Sequence, residues 1–119
     1  MEERRRYPRI RFRHKIGVVL SSGQVVKTWS CDISMGGVQL LSDYIADIGD
    51  TFELLFKVPA VSDTDDFSLR CQARVAYMVL DSDTSRYRIG FEIITFDGDG
   101  ESHYRRFIDQ LLRTRYTSG

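Results

Sequence analysis

Residues 67–96 decide the fold; they read FSLRCQARVAYMVLDSDTSRYRIGFEIITF. Two runs rich in Val, Ile, Phe and Tyr flank the polar residues 81–85, a composition typical of two strands joined by a turn. Residues 67–80 are long enough to form one bent strand, and residues 87–96 supply an antiparallel partner. The stretch therefore predicts a small antiparallel sheet or barrel.

Four further strands are predicted upstream, at residues 14–20, 25–33, 38–41 and 51–58. Alternation in residues 25–33 places Trp29 and Cys31 on one face, and Ser30 and Asp32 on the other. The Ser-Ser-Gly sequence at 21–23 is typical of a hairpin turn, because Gly23 can adopt positive φ without steric cost. Residues 59–66 are predicted to form a solvated acidic loop.

A helix is predicted at the carboxyl end, after the Asp-Gly-Asp-Gly sequence at 97–100. Apolar residues there recur at i, i+3, i+4, i+7 and i+8, the spacing of one face of an amphipathic helix. They are Tyr104, Phe107, Ile108, Leu111 and Leu112. The overall prediction is a mainly β fold of six strands followed by one helix.

Charge is unevenly distributed along the 119 residues, although 17 basic and 17 acidic side chains give a net charge of zero. Residues 1–15 contain seven basic and two acidic residues, a balance of +5 that leaves −5 for the remaining 104. We therefore predict a flexible basic arm at residues 1–13 and a single mildly acidic domain at 14–116. Because apolar runs are short and no signal segment follows Met1, we expect a soluble, cytoplasmic protein with no membrane span. In that compartment Cys31 and Cys71 are expected to be reduced thiols.

Patterns that carry metal or catalytic chemistry are not found in the sequence. His14 and His103 lack neighbours at metal-ligand spacing. A calcium loop aligned on Gly100 would need a Glu where Arg106 stands. With neither a phosphate-binding Gly-rich loop nor a nucleophile elbow, we expect no metal, no cofactor and no enzymatic activity.

Two segments do carry binding chemistry: RRRYPR at residues 4–9 and DISMGG at residues 32–37. Arginine offers a planar fork of donors that fits a phosphate or the edge of guanine. In the second segment Asp32 can accept from guanine N1 and N2, Ser34 can donate to a phosphate, and Gly37 permits close approach to the backbone. Taken singly, the first segment is also compatible with a solvated or membrane-surface tail, and the second with an ordinary turn.

Together the two segments are more specific. Arg5-x-x-x-Arg9 followed by Asp32-x-Ser34-x-x-Gly37 resembles the paired signature of the PilZ domain, the bacterial receptor module for cyclic di-GMP. The sequence YRIGF at 87–91 and the terminal helix extend the resemblance over nearly the whole chain. The resemblance implies a six-stranded antiparallel β-barrel with a C-terminal α-helix, with the ligand on the barrel surface under the arm.

The resemblance also implies roles for single residues. Arg5 and Arg9 would grip guanine edges and phosphates, while Asp32, Ser34 and the Gly36–Gly37 pair would form the barrel side of the site. A basic residue at Arg4 tends, in the family, to accompany an intercalated ligand dimer, and stoichiometry stays open. Two further residues are weaker candidates: Arg6 for a phosphate contact, and Trp29, which fits the core at least as well.

The leading hypothesis is a non-enzymatic cyclic di-GMP receptor. Ligand would order the arm on the barrel and change the surface offered to an unidentified downstream protein. One alternative is a small barrel that binds nucleic acid through the arm, although the acidic body argues against nucleic acid as a partner. The other is a PilZ-like adaptor that binds no nucleotide.

Overall fold

The structure is a computed structural model that describes residues 8–57 and 68–117, with side chains described to residue 114. Arg4, Arg5, Arg6 and the predicted acidic loop at 59–66 lie outside the described residues. Seven strands and one helix are present in the described part: β1 (Ile10–Arg11), β2 (Lys15–Val19), β3 (Val25–Ile33), β4 (Gly37–Ser42), β5 (Thr51–Phe56), β6 (Leu69–Asp81), β7 (Arg86–Phe96) and α1 (Gly100–Thr117).

Six of these strands close into a barrel. Around the ring β2 pairs with β3, β3 with β4, β4 with β7, β7 with β6, β6 with β5, and β5 with β2, and every pair is antiparallel. The predicted six-stranded antiparallel barrel with a C-terminal helix is therefore confirmed. Closure leaves no open edge in the ring, which removes the unpaired backbone groups that an open sheet would present.

The interior of the barrel is filled by the alternating apolar residues of these strands. Fully buried side chains come from neighbouring strands: Ile16, Ile33, Leu40, Leu54, Phe56, Cys71 and Val75. The long strand β6 bends around this core, with register shifts at Gln72/Ala73 and Val75/Tyr77. Such bulges let one strand pair along its whole length while it curves.

Helix α1 packs on the barrel through the predicted apolar stripe. Tyr104, Phe107 and Ile108 are buried, and Leu111 and Leu112 are partly buried against the same core. The Tyr104 ring contacts Phe56 and Phe96, with ring centroids 5.3 and 5.0 Å apart. Within the described ranges, no helix combines the length and apolar character needed to cross a membrane.

The short strand β1 lies within the predicted basic arm. It pairs with β3, with Ile10 opposite Ile33 and Arg11 opposite Asp32, and the Ile10 side chain is buried. Beyond β1, the Phe12 amide donates to the Cys31 carbonyl at 3.1 Å. The part of the arm from Ile10 onward thus lies on the barrel.

Candidate functional site

An open groove of about 680 Å3 lies on the outer face of β3, β4 and β7. Its volume is within the range usual for small-molecule sites. The outward-facing side chains Trp29, Asp32, Gln39, Leu41 and Arg88 line it. Register explains why they meet, because Trp29 pairs with Leu41, Asp32 with Gln39, and Leu41 with Arg88.

A β-bulge in β3 brings Asp32 into this groove. Between Ser30 and Asp32 the register with β4 shifts by one residue, so that Ser30 pairs with the buried Leu40 and Asp32 with Gln39. Because the extra residue, Cys31, reverses the alternation, Asp32 lies on the Trp29 face rather than on the Ser30 face. The expectation from simple alternation is therefore wrong at Asp32.

The groove carries an excess of positive charge. Five basic and three acidic side chains line it: Arg11, Arg13, Lys27, Arg86 and Arg88 against Asp32, Asp43 and Asp81. This local balance is opposite in sign to that of residues 16–119 as a whole, which is −5. A clustered excess of one sign focuses the field and favours ligands of the other sign, here anions.

One of these basic groups, Arg88, is held in place by Asp81 from the end of β6. Its Nε and Nη2 atoms donate to Asp81 Oδ1 at 3.1 and 2.7 Å, while the Thr84 hydroxyl and amide donate to Oδ2 at 2.7 and 3.1 Å. The hydrogen bonds from Thr84 and Arg88 lower the pKa of Asp81, and Asp81 raises the pKa of Arg88. Arg88 is thus a permanently charged, oriented donor at the groove.

Gly90, two residues after Arg88 on β7, makes room for the ring of Tyr77. A Cβ atom at Gly90 would lie 2.1 Å from Cε2 of Tyr77, so the Tyr77 ring occupies the space that a side chain would take. The Gln39 amide donates to the Tyr77 hydroxyl. The YRIGF sequence at 87–91 carries the family resemblance but does not by itself predict these roles of Arg88 and Gly90.

Trp29 is not a core residue. Its side chain is 42% exposed on the outer face of β3, and the Arg13 guanidinium carbon lies 4.7 Å from the ring centroid. The alternative that placed Trp29 in the core is wrong. Trp29 and its pairing partner Leu41 lie on the outer face of the barrel, whereas Thr28 and Ser30 on either side of Trp29 are buried.

The other predicted site residues that the structure describes, Arg9, Ser34, Gly36 and Gly37, lie at one end of β3. Arg9 is exposed and directly precedes Ile10. Because Ile10 pairs with Ile33 in antiparallel register, the backbone of Arg9 lies level with the turn that begins at Ser34. Within that turn the Ser34 amide donates to the Gly37 carbonyl at 2.9 Å. Among the described residues, the Ser34 hydroxyl makes two long contacts, accepting from the Gly36 amide at 3.3 Å and donating to the Gly37 carbonyl at 3.4 Å.

Gly37 has a packing reason to be glycine. A Cβ atom there would lie 2.3 Å from the carbonyl oxygen of Phe91 in β7. Neither Gly36 nor Gly37 has positive φ. Next to it, the Ile93 amide donates to the Gly36 carbonyl at 2.9 Å. The absence of a side chain at Gly37 therefore lets β4 approach β7 closely.

The family model for the PilZ domain matches residues 3–110. This chain belongs to the PilZ domain family. PilZ domains are binding and effector domains. Both motifs that carry the resemblance in the sequence fall inside the matched range, and the PilZ match also spans the groove and most of α1.

Solved structures with the same fold include three PilZ proteins. The PilZ domain of Escherichia coli YcgR with c-di-GMP has a TM-score of 0.68 and 19% identity, over 97% of this chain and 96% of that one. The Bacillus subtilis inhibitor of motility, MotI/DgrA, has a TM-score of 0.74 and 16% identity, over 95% of this chain and 52% of that one. The K. pneumonia MrkH–c-di-GMP complex has a TM-score of 0.66 and 19% identity, over 96% of this chain and 53% of that one.

These similarities show the shared PilZ fold. This chain spans about half the length of MotI/DgrA and of MrkH, and nearly all of the isolated YcgR domain. No curated protein matches it in sequence.

Proposed function

We propose that the chain is a receptor for cyclic di-GMP. The observation that carries this proposal is the bulge that turns Asp32 outward into a basic groove, on the strand with which β1, directly after Arg9, is paired. Two of the structural neighbours, the YcgR domain and MrkH, are complexes with c-di-GMP.

The groove offers a partner for each chemical feature of this ligand, which has two guanines and two phosphates. Asp32 can accept from guanine N1 and N2, and Arg88 presents oriented donors to a phosphate or to guanine O6 and N7. The long contacts of the Ser34 hydroxyl leave it free to exchange for a stronger bond to a phosphate oxygen. Arg5 and Arg9 complete the site from the arm.

The arm provides the means of signalling in this proposal. β1 is paired with β3, and Arg9 is exposed immediately before it. We therefore expect the arginines of residues 4–9 to reach a ligand in the groove. Arg4, Arg5, Arg6 and Arg9 would close over the phosphates and alter the surface offered to a downstream protein. Trypsin digestion tests this: ligand should protect the bonds after these arginines, and unchanged cleavage at saturating ligand would contradict arm ordering.

The second candidate is single-stranded nucleic acid, which the five basic side chains of the groove favour. Affinity for oligonucleotides that falls steeply with salt, together with competition against cyclic di-GMP, would support it. A salt slope near zero and no competition would remove it.

Isothermal titration calorimetry with cyclic di-GMP tests the receptor proposal. We expect saturable heat for the unchanged protein and near-complete loss in the Arg5→Ala/Arg9→Ala double variant. The Arg70→Ala/Arg74→Ala double variant is the matched control, because both arginines are exposed on β6 and paired with Glu53 and Glu92 outside the groove. A ratio of two ligands per chain would agree with the basic Arg4. No heat from folded protein would overturn the proposal and favour the adaptor alternative.

A further inference from the structure

An aromatic platform stands exposed in the groove. Trp29 lies on the same outward face of β3 as Asp32, three residues along the strand across the bulge. Large aromatic side chains bury much apolar area when they pack in a core, so the 42% exposure of Trp29 leaves an apolar surface in contact with solvent. Of the other exposed apolar residues, Ile48 and Ile94 do not line the groove, whereas Tyr44 does, in the loop that follows β4.

The ring already accepts a flat cation on its face. The Arg13 guanidinium carbon lies 4.7 Å from the ring centroid, a contact that another planar group can extend or replace. Aromatic side chains stack equally well on nucleobases, because every base presents a π face. Trp29 therefore has the position, the exposure and the electronic character of a base-stacking residue.

From these contacts we infer that Trp29 is a stacking platform for a purine base of the bound ligand, flanked by Arg13. The inference rests on the proposed function and extends it, since it places one base on the outer face of β3, beside Asp32. Asp32 would read the polar edge of a guanine there, while Trp29 would hold a face. Stacking supplies affinity without base selectivity, so selectivity is left to Asp32 and the arginines.

The protein offers a direct probe, because Trp29 is its only tryptophan. Titration with cyclic di-GMP should quench its fluorescence with the same midpoint as the calorimetric heat. N-acetyltryptophanamide titrated in parallel corrects for light absorbed by the ligand. We expect Trp29→Ala to weaken binding by about ten-fold or more and Trp29→Phe, which keeps a π face, by only about three-fold. Ile94→Ala, a side chain of similar exposure outside the groove, should leave affinity unchanged.

The outcomes separate the two claims. The stacking role is overturned if calorimetry shows binding but the fluorescence does not change and Trp29→Ala binds as tightly as the unchanged protein. The receptor function would then still stand. If Trp29→Phe loses as much affinity as Trp29→Ala, stacking is also overturned, because a specific indole contact would then be required. No heat with the unchanged protein overturns both.

Discussion

The hydroxyl group of Tyr104 donates a hydrogen bond to the carbonyl oxygen of Ser34 at 2.6 Å. These residues are 70 positions apart, one on the buried face of α1 and the other in the motif turn between β3 and β4. Burial raises the pKa of the Tyr104 hydroxyl well above its usual value, so the group stays a donor. The C-terminal helix is thus fixed directly to the turn that holds part of the proposed ligand site.

Tyr104→Phe should lower the free energy of unfolding by about 1–2 kcal/mol, because it removes the hydroxyl donor and leaves the Ser34 carbonyl without this hydrogen bond. Chemical denaturation measures this. Tyr44→Phe is the matched control: its side chain is 63% exposed and should change stability by less than about 0.5 kcal/mol. Equal stability of the two variants would show that the hydrogen bond makes no net contribution.

Within the motif at 32–37, substitution of Gly37 should mainly lower stability, whereas substitution of Asp32 should mainly abolish ligand binding. Gly37→Ala places a methyl group 2.3 Å from the Phe91 carbonyl, so the β4–β7 pair must shift, at a cost of about 1–3 kcal/mol. Asp32→Ala should lose cyclic di-GMP binding, with a loss of stability below about 1 kcal/mol. Thermal unfolding and calorimetry on both variants check this pairing; a stable Gly37→Ala protein would contradict the packing role.

Arg88→Ala should weaken cyclic di-GMP binding by about ten-fold or more, because it removes an oriented charged donor from the groove. Arg74→Ala is a close control. Each is a strand arginine with a carboxylate partner, and their side chains are 48% and 50% exposed, but only Arg88 lines the groove. If both variants bind alike, Arg88 does not contact the ligand.

The pH dependence of stability should report His14. Its Nε2 donates to the Lys57 carbonyl at 2.6 Å, and its ring packs against Phe12 and Phe107. Burial is the largest effect and lowers the pKa of His14 below 6.5. The unfolded chain therefore takes up a proton first as pH falls, so stability is complete above pH 6.5 and declines below it.

Melting temperatures measured at about pH 7.5 and 5.5 test this expectation, since carboxylates titrate mostly below that window. His14→Gln should reduce the difference between the two temperatures. His103→Gln, which removes the other histidine of the chain, should preserve it. A difference that survives in His14→Gln would assign the pH dependence to another group.

Much of the barrel followed from local pattern. Residues 25–33 were predicted as a strand and form β3 with the same bounds, because β-branched residues there follow a hairpin turn in which Gly23 has a φ of 90°. The helix stripe was equally clear, since a 3.6-residue period on a polar background has few other interpretations. These features depend on residues close together in sequence.

The site was harder to predict because it depends on register between strands. Nothing in the alternation of β3 reveals that Cys31 is an extra residue, yet this bulge decides which way Asp32 faces. Likewise Asp81 was assigned to a turn, and its pairing with Arg88 follows only from the β6–β7 hairpin geometry. The motif residues pointed to the proposed ligand class, whereas the groove around them depends on closure of the barrel.

We propose that cyclic di-GMP binds in the groove on the outer face of β3, β4 and β7. Two-dimensional NMR of the isotope-labelled protein, titrated with this ligand, tests it most directly. We predict saturable shifts that concentrate on the amides of Asp32, Gln39 and Gly90 and on the Trp29 indole, with small changes on the exposed face of α1. Unchanged spectra at saturating ligand, or shifts centred away from this groove, would contradict the claim.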